Sequence, residues 1–300
     1  MAMVKLKAVD NRFQADVWEQ ALESEGIEHR LRTFADTAYD GLYVSQKGFG
    51  VFYVDEADLE RAKALVAALA VDTAAPLEGP EALAGVIEHT LLDPEAGEAE
   101  LEVHLAQCRA MGCVAACVSP WMVERAVAGL EGSGVAVCAV VGFPLGTPTG
   151  RAKLQEALEL AGAGAEELDM VLNRGLAHSG RMAQAVDEAA ELADAIKPAR
   201  LKVILETSRL GPELSAQAAQ ALALSGAAFL KTGSGYFGPA TVADVELLVE
   251  NGGGLGVKAA GGIRNLEGAL ELIEAGATRL GTSSGHAIWQ EAQERWAAQD

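Results

Sequence analysis

From Val86 onward the chain alternates between two apolar patterns. Short runs rich in Val, Ile, Leu and Ala occur as VIEHT, AACVS, VAVCAVV, ELDMV, LKVILE, AAFLK, LGVKA and TRLGT, and each gives way to a longer stretch with helical spacing and then to a glycine-bearing turn. In the stretch after Gly180, Met182, Val186, Ala189, Ala193 and Ile196 share one face of a helix. Eight strands alternating with eight helices predict an α/β chain closed as a (β/α)8 TIM barrel rather than an open sheet.

The first part of the chain follows a different order. VKLKAV, IEHRLRTF and GFGVFYV read as strands, and the segments from Ala15 to Glu25 and from Glu56 to Ala70 read as helices. Residues 1–71 are therefore expected to form a small α+β domain. Residues 72–79, DTAAPLEG, lack apolar periodicity, are rich in small residues and carry Pro76, which marks a linker. The barrel is expected over residues 80–300.

With 300 residues, half of them hydrophobic, the chain is long enough for both units. No run near eighteen consecutive apolar residues occurs, and MAMVKLKAVDNRF lacks the apolar centre of a signal peptide, so a cytoplasmic protein is expected. The net charge of −20 disfavours nucleic acid and anionic membranes as partners. Any phosphate ligand has to be held locally, by backbone amides and a few side chains. Cys108, Cys113, Cys117 and Cys138 show no C-x-x-C spacing, which argues against zinc and against a disulfide framework. Buried free thiols are the expectation.

In such a barrel, chemistry gathers where the strands end and the βα loops begin. Lys231 and Lys258 each close an apolar run, in AAFLKTGSG and LGVKAAGGI. An ammonium at the end of a buried strand loses solvation, and a second cation nearby lowers its pKa further, so one of the pair is a candidate neutral amine able to attack a carbonyl. Asp169 interrupts an apolar strand and is expected to meet a lysine or a water, where it can relay protons. Backbone amides at Gly261 and Gly262, a helix starting near Asn265, the hydroxyls of Ser283 and Ser284, and Ser234 with Gly235 form a candidate phosphate nest. Glu88, Ser119 and Asn173 also fall at run ends. His89 is read either as an acid or base or as a filler of the barrel floor, and Cys117 as a small buried hydrophobe. Lys202 and Glu206 share one face of the fifth strand by alternation, and either pair inside the barrel or reach the site. No metal-ligand cluster of histidines and carboxylates is visible.

The motifs IEHTLL, CVSP, VVGFPLG, EELDMVLN, LKVILET, FLKTGSG, VKAAGGIR and GTSSG, in this order from about Leu83 to Ile288, resemble the deoxyribose-phosphate aldolases. That resemblance implies a class I aldolase reversibly cleaving 2-deoxy-D-ribose 5-phosphate to D-glyceraldehyde 3-phosphate and acetaldehyde, without a cofactor or metal, in deoxyribonucleotide and carbohydrate breakdown. It implies Lys231 as the Schiff-base lysine, Lys258 as the neighbour that perturbs its pKa, and Asp169 as part of the proton relay. Ser234, Gly235, Gly261, Gly262, Ser283 and Ser284 become phosphate contacts, and a homo-oligomer is expected. Three departures from the family pattern stand out: Glu88 replaces an aspartate, Gly233 replaces a serine or threonine, and the stretch YFGPAT is a residue short. The first seventy or so residues resemble, through ALESEGIEH and VDEADLERAKAL, a small prokaryotic domain proposed to act in signal transduction. An oligomerising or stabilising appendage is the favoured expectation for them.

Two other functions fit the same residues. One is a lyase for a different phosphorylated aldehyde or ketose, suggested by Gly233 and the shortened loop. The other is a sugar-phosphate-binding regulator, against which the lysine pair and Asp169 argue, since a sensor has no use for a neutral amine.

Overall fold

The computed structural model describes residues 3–9, 18–19, 21–33, 50–69 and 79–298. The chain divides into two compact units, Met1–Asp72 and Thr73–Asp300. Of the segment expected as a linker, only Gly79 lies within the described residues.

In the first unit, β1 (Met3–Val9), β2 (His29–Thr33) and β3 (Gly50–Asp55) form an antiparallel sheet in the order β1-β3-β2. Trp18, Leu22, Phe52, Val54, Ala62 and Val66 are buried and supply its core. The Asp55 carboxylate accepts from Ala57 N at 3.3 Å and so starts the 3-10 turn that leads into the helix Leu59–Leu69. Residues 18–19 and 21–24 are helical, while 15–17 and 20, also expected as helix, lie outside the described residues.

In the second unit each of the eight apolar runs forms one strand. These are β4 (Ile87–Leu91), β5 (Ala115–Val118), β6 (Ala136–Val141), β7 (Glu167–Val171), β8 (Arg200–Ile204), β9 (Phe229–Lys231), β10 (Gly256–Ala260) and β11 (Arg279–Thr282). All pairs are parallel, and β11 closes onto β4.

Strand alternation divides the buried residues into two layers. Ile87, Val118, Leu168, Val203, Leu230, Val257 and Leu280 point outward and pack with helix residues such as Leu105, Ala126, Leu160, Leu192, Leu222 and Leu248 in one continuous cluster. Each such Val, Leu or Ile side chain contributes about 1.5–3 kcal/mol on burial. The inward face carries a small apolar cluster, Ala115, Cys117, Cys138 and Val140, with the buried Val171, Ile204 and Ala260 at strand ends. Between them the middle of the lumen holds the buried charges of Glu88, Glu167, Asp169, Lys202 and Lys258. Gly281 makes part of that possible, because a Cβ there would stand 2.8 Å from Lys258 Cε.

Candidate active site

Register brings the charged residues together. Lys231 on β9 pairs with Lys258 on β10, and Asp169 on β7 pairs with Lys202 on β8, so all four side chains enter the lumen. Lys231 Nζ and Lys258 Nζ each donate to Asp169 Oδ2 at 2.7 Å. The other carboxylate oxygen, Oδ1, accepts from Lys202 Nζ at 3.1 Å and from Cys138 Sγ at 3.2 Å. Glu88 Oε2 accepts from Lys258 and, at 3.2 Å, from Lys202. Lys202 also forms an ion pair with Glu167, which Arg200 and Arg279 approach from its other side. Glu88, Glu167, Asp169, Lys202 and Lys258 are fully buried.

Burial penalises the charged forms of Glu88, Asp169, Lys202 and Lys258, and mutual pairing reverses the penalty. Asp169 is held well below the usual carboxylate range, because Lys202, Lys231 and Lys258 together outweigh desolvation. Glu88 is lowered for the same reason, with Lys202 and Lys258 as the opposing charges. For Lys202 and Lys258, burial pulls the ammonium down, but Asp169 and the other acidic groups around each hold it above its ordinary value. Lys258 is therefore a fixed cation. The Cys138 thiol is pushed up by burial, by Cys117 and by Asp169, so it stays a protonated donor.

Above this cluster opens a cavity of about 680 Å3. Lys231 is part of its wall, with 2% of its surface exposed, whereas Lys258 is not. Access thus distinguishes the two lysines that the sequence presents as a pair. The same wall contains Ser234, Gly235, Gly261, Gly262, Ser283 and Ser284, every residue expected in the phosphate nest. Gly261 and Gly262 take φ of 112° and 72°, and a Cβ on Gly261 would come within 2.7 Å of Gly238 O. Side chains are thereby excluded from this part of the cavity wall, and the backbone itself faces the cavity. Asn265 caps the helix Leu266–Glu274 by accepting from Gly268 N at 3.0 Å, and the helix Gly285–Ala297 starts directly after Ser284. Two helix N-termini stand beside the nest, which favours an anion there.

Known proteins share this architecture and its sequence. A family model for DeoC/LacD family aldolases matches residues 55–291. The chain belongs to the DeoC/LacD aldolase family. A deoxyribose-phosphate aldolase from Streptococcus pneumoniae serotype 19F (strain G54) is 44% identical over 204 residues, which cover 67% of this chain and 93% of that protein. Among solved structures, the tetrameric deoxyribose phosphate aldolase from Aeropyrum pernix is 30% identical with a TM-score of 0.68, covering 75% of this chain and 94% of its own. An aldolase designated QR15 is 36% identical with a TM-score of 0.70, covering 73% and 99%.

Several parts of this aldolase site differ from the sequence expectation. β8 ends at Ile204, so Glu206 does not continue its alternation: it adopts φ 60°, ψ 60° and turns into the loop after β9. There its Oε2 accepts from Ser234 N at 3.0 Å. Lys202 and Glu206 consequently serve different places, one in the lumen and one under the Lys231 loop. Gly233 fits this arrangement, since a Cβ on it would lie 2.9 Å from Glu206 Oε1. His89 neither faces the cavity's reacting end nor fills the floor. It points outward from β4, donates Nε2 to Gln107 Oε1 at 3.0 Å and stacks on His104 with ring centroids 4.5 Å apart. Asn173 caps the helix Arg174–His178 by accepting from Leu176 N.

Donor atoms of Cys117, Cys138 and Asp169 do come within 4.8 Å of one another, which sequence spacing does not reveal. Lysine ammoniums already engage Asp169 and Cys138. The sequence reading also missed Thr90, Tyr236 and Arg264 in the cavity wall. Thr90 was accessible to reasoning, because it lies two positions from Glu88 on the inward face. Arg264 directly follows GGI, but its reach depends on the loop path. Among the described residues no helix is long and apolar enough to cross a membrane.

Proposed function

We propose that this chain is a class I aldolase that reversibly cleaves 2-deoxy-D-ribose 5-phosphate into D-glyceraldehyde 3-phosphate and acetaldehyde through a Schiff base on Lys231. The observation that carries the reading is Lys231 in the cavity wall, its Nζ sharing Asp169 Oδ2 with the buried cation Lys258.

Lys231 Nζ gives up a proton and adds to the C1 aldehyde, and loss of water yields an iminium. The C3 hydroxyl then loses its proton, the C2–C3 bond breaks, and its electron pair forms the enamine that neutralises the iminium nitrogen. C3 leaves as the aldehyde carbon of D-glyceraldehyde 3-phosphate. Protonation of the enamine at C2 and hydrolysis of the regenerated iminium release acetaldehyde and restore Lys231. Asp169, acting through a water, takes and returns the hydroxyl proton, while Lys258 steadies the unprotonated amine electrostatically. Ser234, Gly235, Gly261, Gly262, Ser283 and Ser284 hold the phosphate. The electron sink is the iminium itself, so the reaction calls for no cofactor.

The first unit is read as an appendage that pairs or stabilises subunits of a cytoplasmic homo-oligomer, in keeping with the tetrameric relative. Light scattering on the chain with and without residues 1–79 tests that role. The enzymatic reading is tested by incubation with 2-deoxyribose 5-phosphate and borohydride, followed by peptide mass spectrometry, with Lys231→Leu alongside. A reduced adduct on Lys231 that disappears in the variant is expected. Absence of any adduct in folded, phosphate-binding protein overturns the reading and favours a regulator.

A further inference from the structure

The loop after Lys231 is held from below and crosses the barrel mouth above. Glu206 Oε2 accepts from Ser234 N at 3.0 Å, and Ser208 Oγ donates to Phe237 O at 3.3 Å. The Phe237 ring has the guanidinium groups of Arg174 and Arg209 at 5.3 Å and 5.2 Å from its centroid. Between these anchors stands Tyr236. Its hydroxyl donates to Leu92 O at 3.3 Å, and its ring meets Phe143 edge-on with centroids 5.5 Å apart.

Leu92 follows β4 and Phe143 follows β6. In the ring of strands β4 is three places from β9 in one direction, through β10 and β11, and β6 is three places away in the other, through β8 and β7. One side chain therefore reaches from the rim at β9 to the far rim, where β4 and β6 flank β5. The cavity wall is drawn from the residues of β4, β9, β10 and β11 and the loops that follow them, on one side of this side chain. Tyr236 remains 53% exposed, which places it at the mouth between cavity and solvent.

We propose that Tyr236 is a specificity-determining residue, a bar across the mouth that confines the phosphorylated three-carbon part of the substrate to the half of the mouth containing the phosphate nest. This rests on the aldolase reading above. With C1 held at Lys231 and phosphate held among the loops after β9, β10 and β11, the chain joining them runs beside the tyrosine ring. The hydroxyl tether to Leu92 keeps that ring upright, and the ring denies branched or aromatic aldehydes the space toward the β6 loop. The residue selects the aldehyde acceptor without taking part in proton transfer.

The test compares wild type, Tyr236→Phe and Tyr236→Ala in the synthetic direction, with acetaldehyde as donor and either D-glyceraldehyde 3-phosphate or a branched or aromatic aldehyde as acceptor. The ratio of kcat/KM for the bulky acceptor to that for the phosphorylated one is expected to rise about tenfold or more in Tyr236→Ala. KM for the phosphorylated acceptor should rise more than kcat falls. Tyr236→Phe keeps the ring and loses the tether, so its ratio lies between the other two. Should the alanine variant not fold, Tyr236→Phe together with Phe143→Leu carries the comparison. An unchanged ratio in the folded variants overturns the proposal. Failure of wild type to form a borohydride-reducible imine is a separate result, which removes the aldolase reading itself.

Discussion

Replacing Lys202 by methionine removes a charge while nearly preserving length. In the lumen Lys202 Nζ lies 3.2 Å from Glu88, 3.1 Å from Asp169 and in an ion pair with Glu167. Without it, three buried carboxylates face Lys231 and Lys258, with Arg200 and Arg279 touching only Glu167. Leaving a buried charge without its partner costs about 3–5 kcal/mol. In a domain of this size each kcal/mol moves Tm by about 2–4 °C, so a fall of roughly 6–20 °C is expected at pH 7. Glu88 and Asp169 have lowered pKa values in the folded protein, so their contribution is present above the unfolded value and lost as pH falls through the folded one. Removing Lys202 raises those folded values, and an orphaned carboxylate then takes up a proton in mild acid. The Tm gap between variant and wild type should therefore narrow as pH drops from 7 toward about 4. Thermal unfolding followed by circular dichroism across that range measures it. A Tm within about 2 °C of wild type at pH 7, or a gap that widens in acid, refutes the view that Lys202 neutralises the lumen.

Asp169→Asn should lower kcat by about 10²–10⁴-fold, as expected for removing a proton-relay group, and a wild-type turnover would take Asp169 out of the relay. Gly233→Ser pushes a Cβ toward Glu206 Oε1, so it should displace the carboxylate that holds Ser234 N and cost about 1 kcal/mol or more in substrate binding, read as a raised KM. Adding Glu206→Ala to Gly233→Ser should cause little further loss, whereas fully additive losses would separate the two residues. His104 is pushed down to about 3 by burial and by His89, so its neutral site contributes stability in full above the unfolded value and loses it as pH falls toward about 3. At roughly 1.36 kcal/mol per pKa unit, the full window amounts to about 5 kcal/mol of acid sensitivity, of which about 2–3 kcal/mol falls between pH 7 and 4.5, and His104→Phe should flatten that part in urea titrations at those two pH values.

The eight strands were readable because each apolar run is short, bounded by a glycine-bearing turn and followed by a helical face. Alternation then places Asp169, Lys202, Lys231 and Lys258 in the lumen. It fails at Glu206, where the backbone leaves the strand through a positive φ that no residue type signals when it is not glycine. It was underused at His89, whose position one residue from the inward Glu88 directs it outward to Gln107 and His104. Which of two equivalent lysines meets the cavity could not be read from their matching contexts, because access is set by loops from β4 and β11, remote in sequence. The same holds for Tyr236, whose partners Leu92 and Phe143 lie on loops that only barrel closure brings near.

One oxygen, Asp169 Oδ2, accepts from both Lys231 and Lys258. A protonated imine at Lys231 carries the same single positive charge as an ammonium there, and still presents a positively charged N–H. On the proposed Schiff-base mechanism, converting the ammonium to the iminium thus leaves the charge sum of the lumen as it was. The free-amine and enamine stages each lower that sum by one, and there Lys258 remains beside Asp169 as its second donor. On that mechanism Asp169 keeps at least one cationic partner at every stage, so the ion-paired scaffold that stabilises the resting lumen also suits the proposed intermediates.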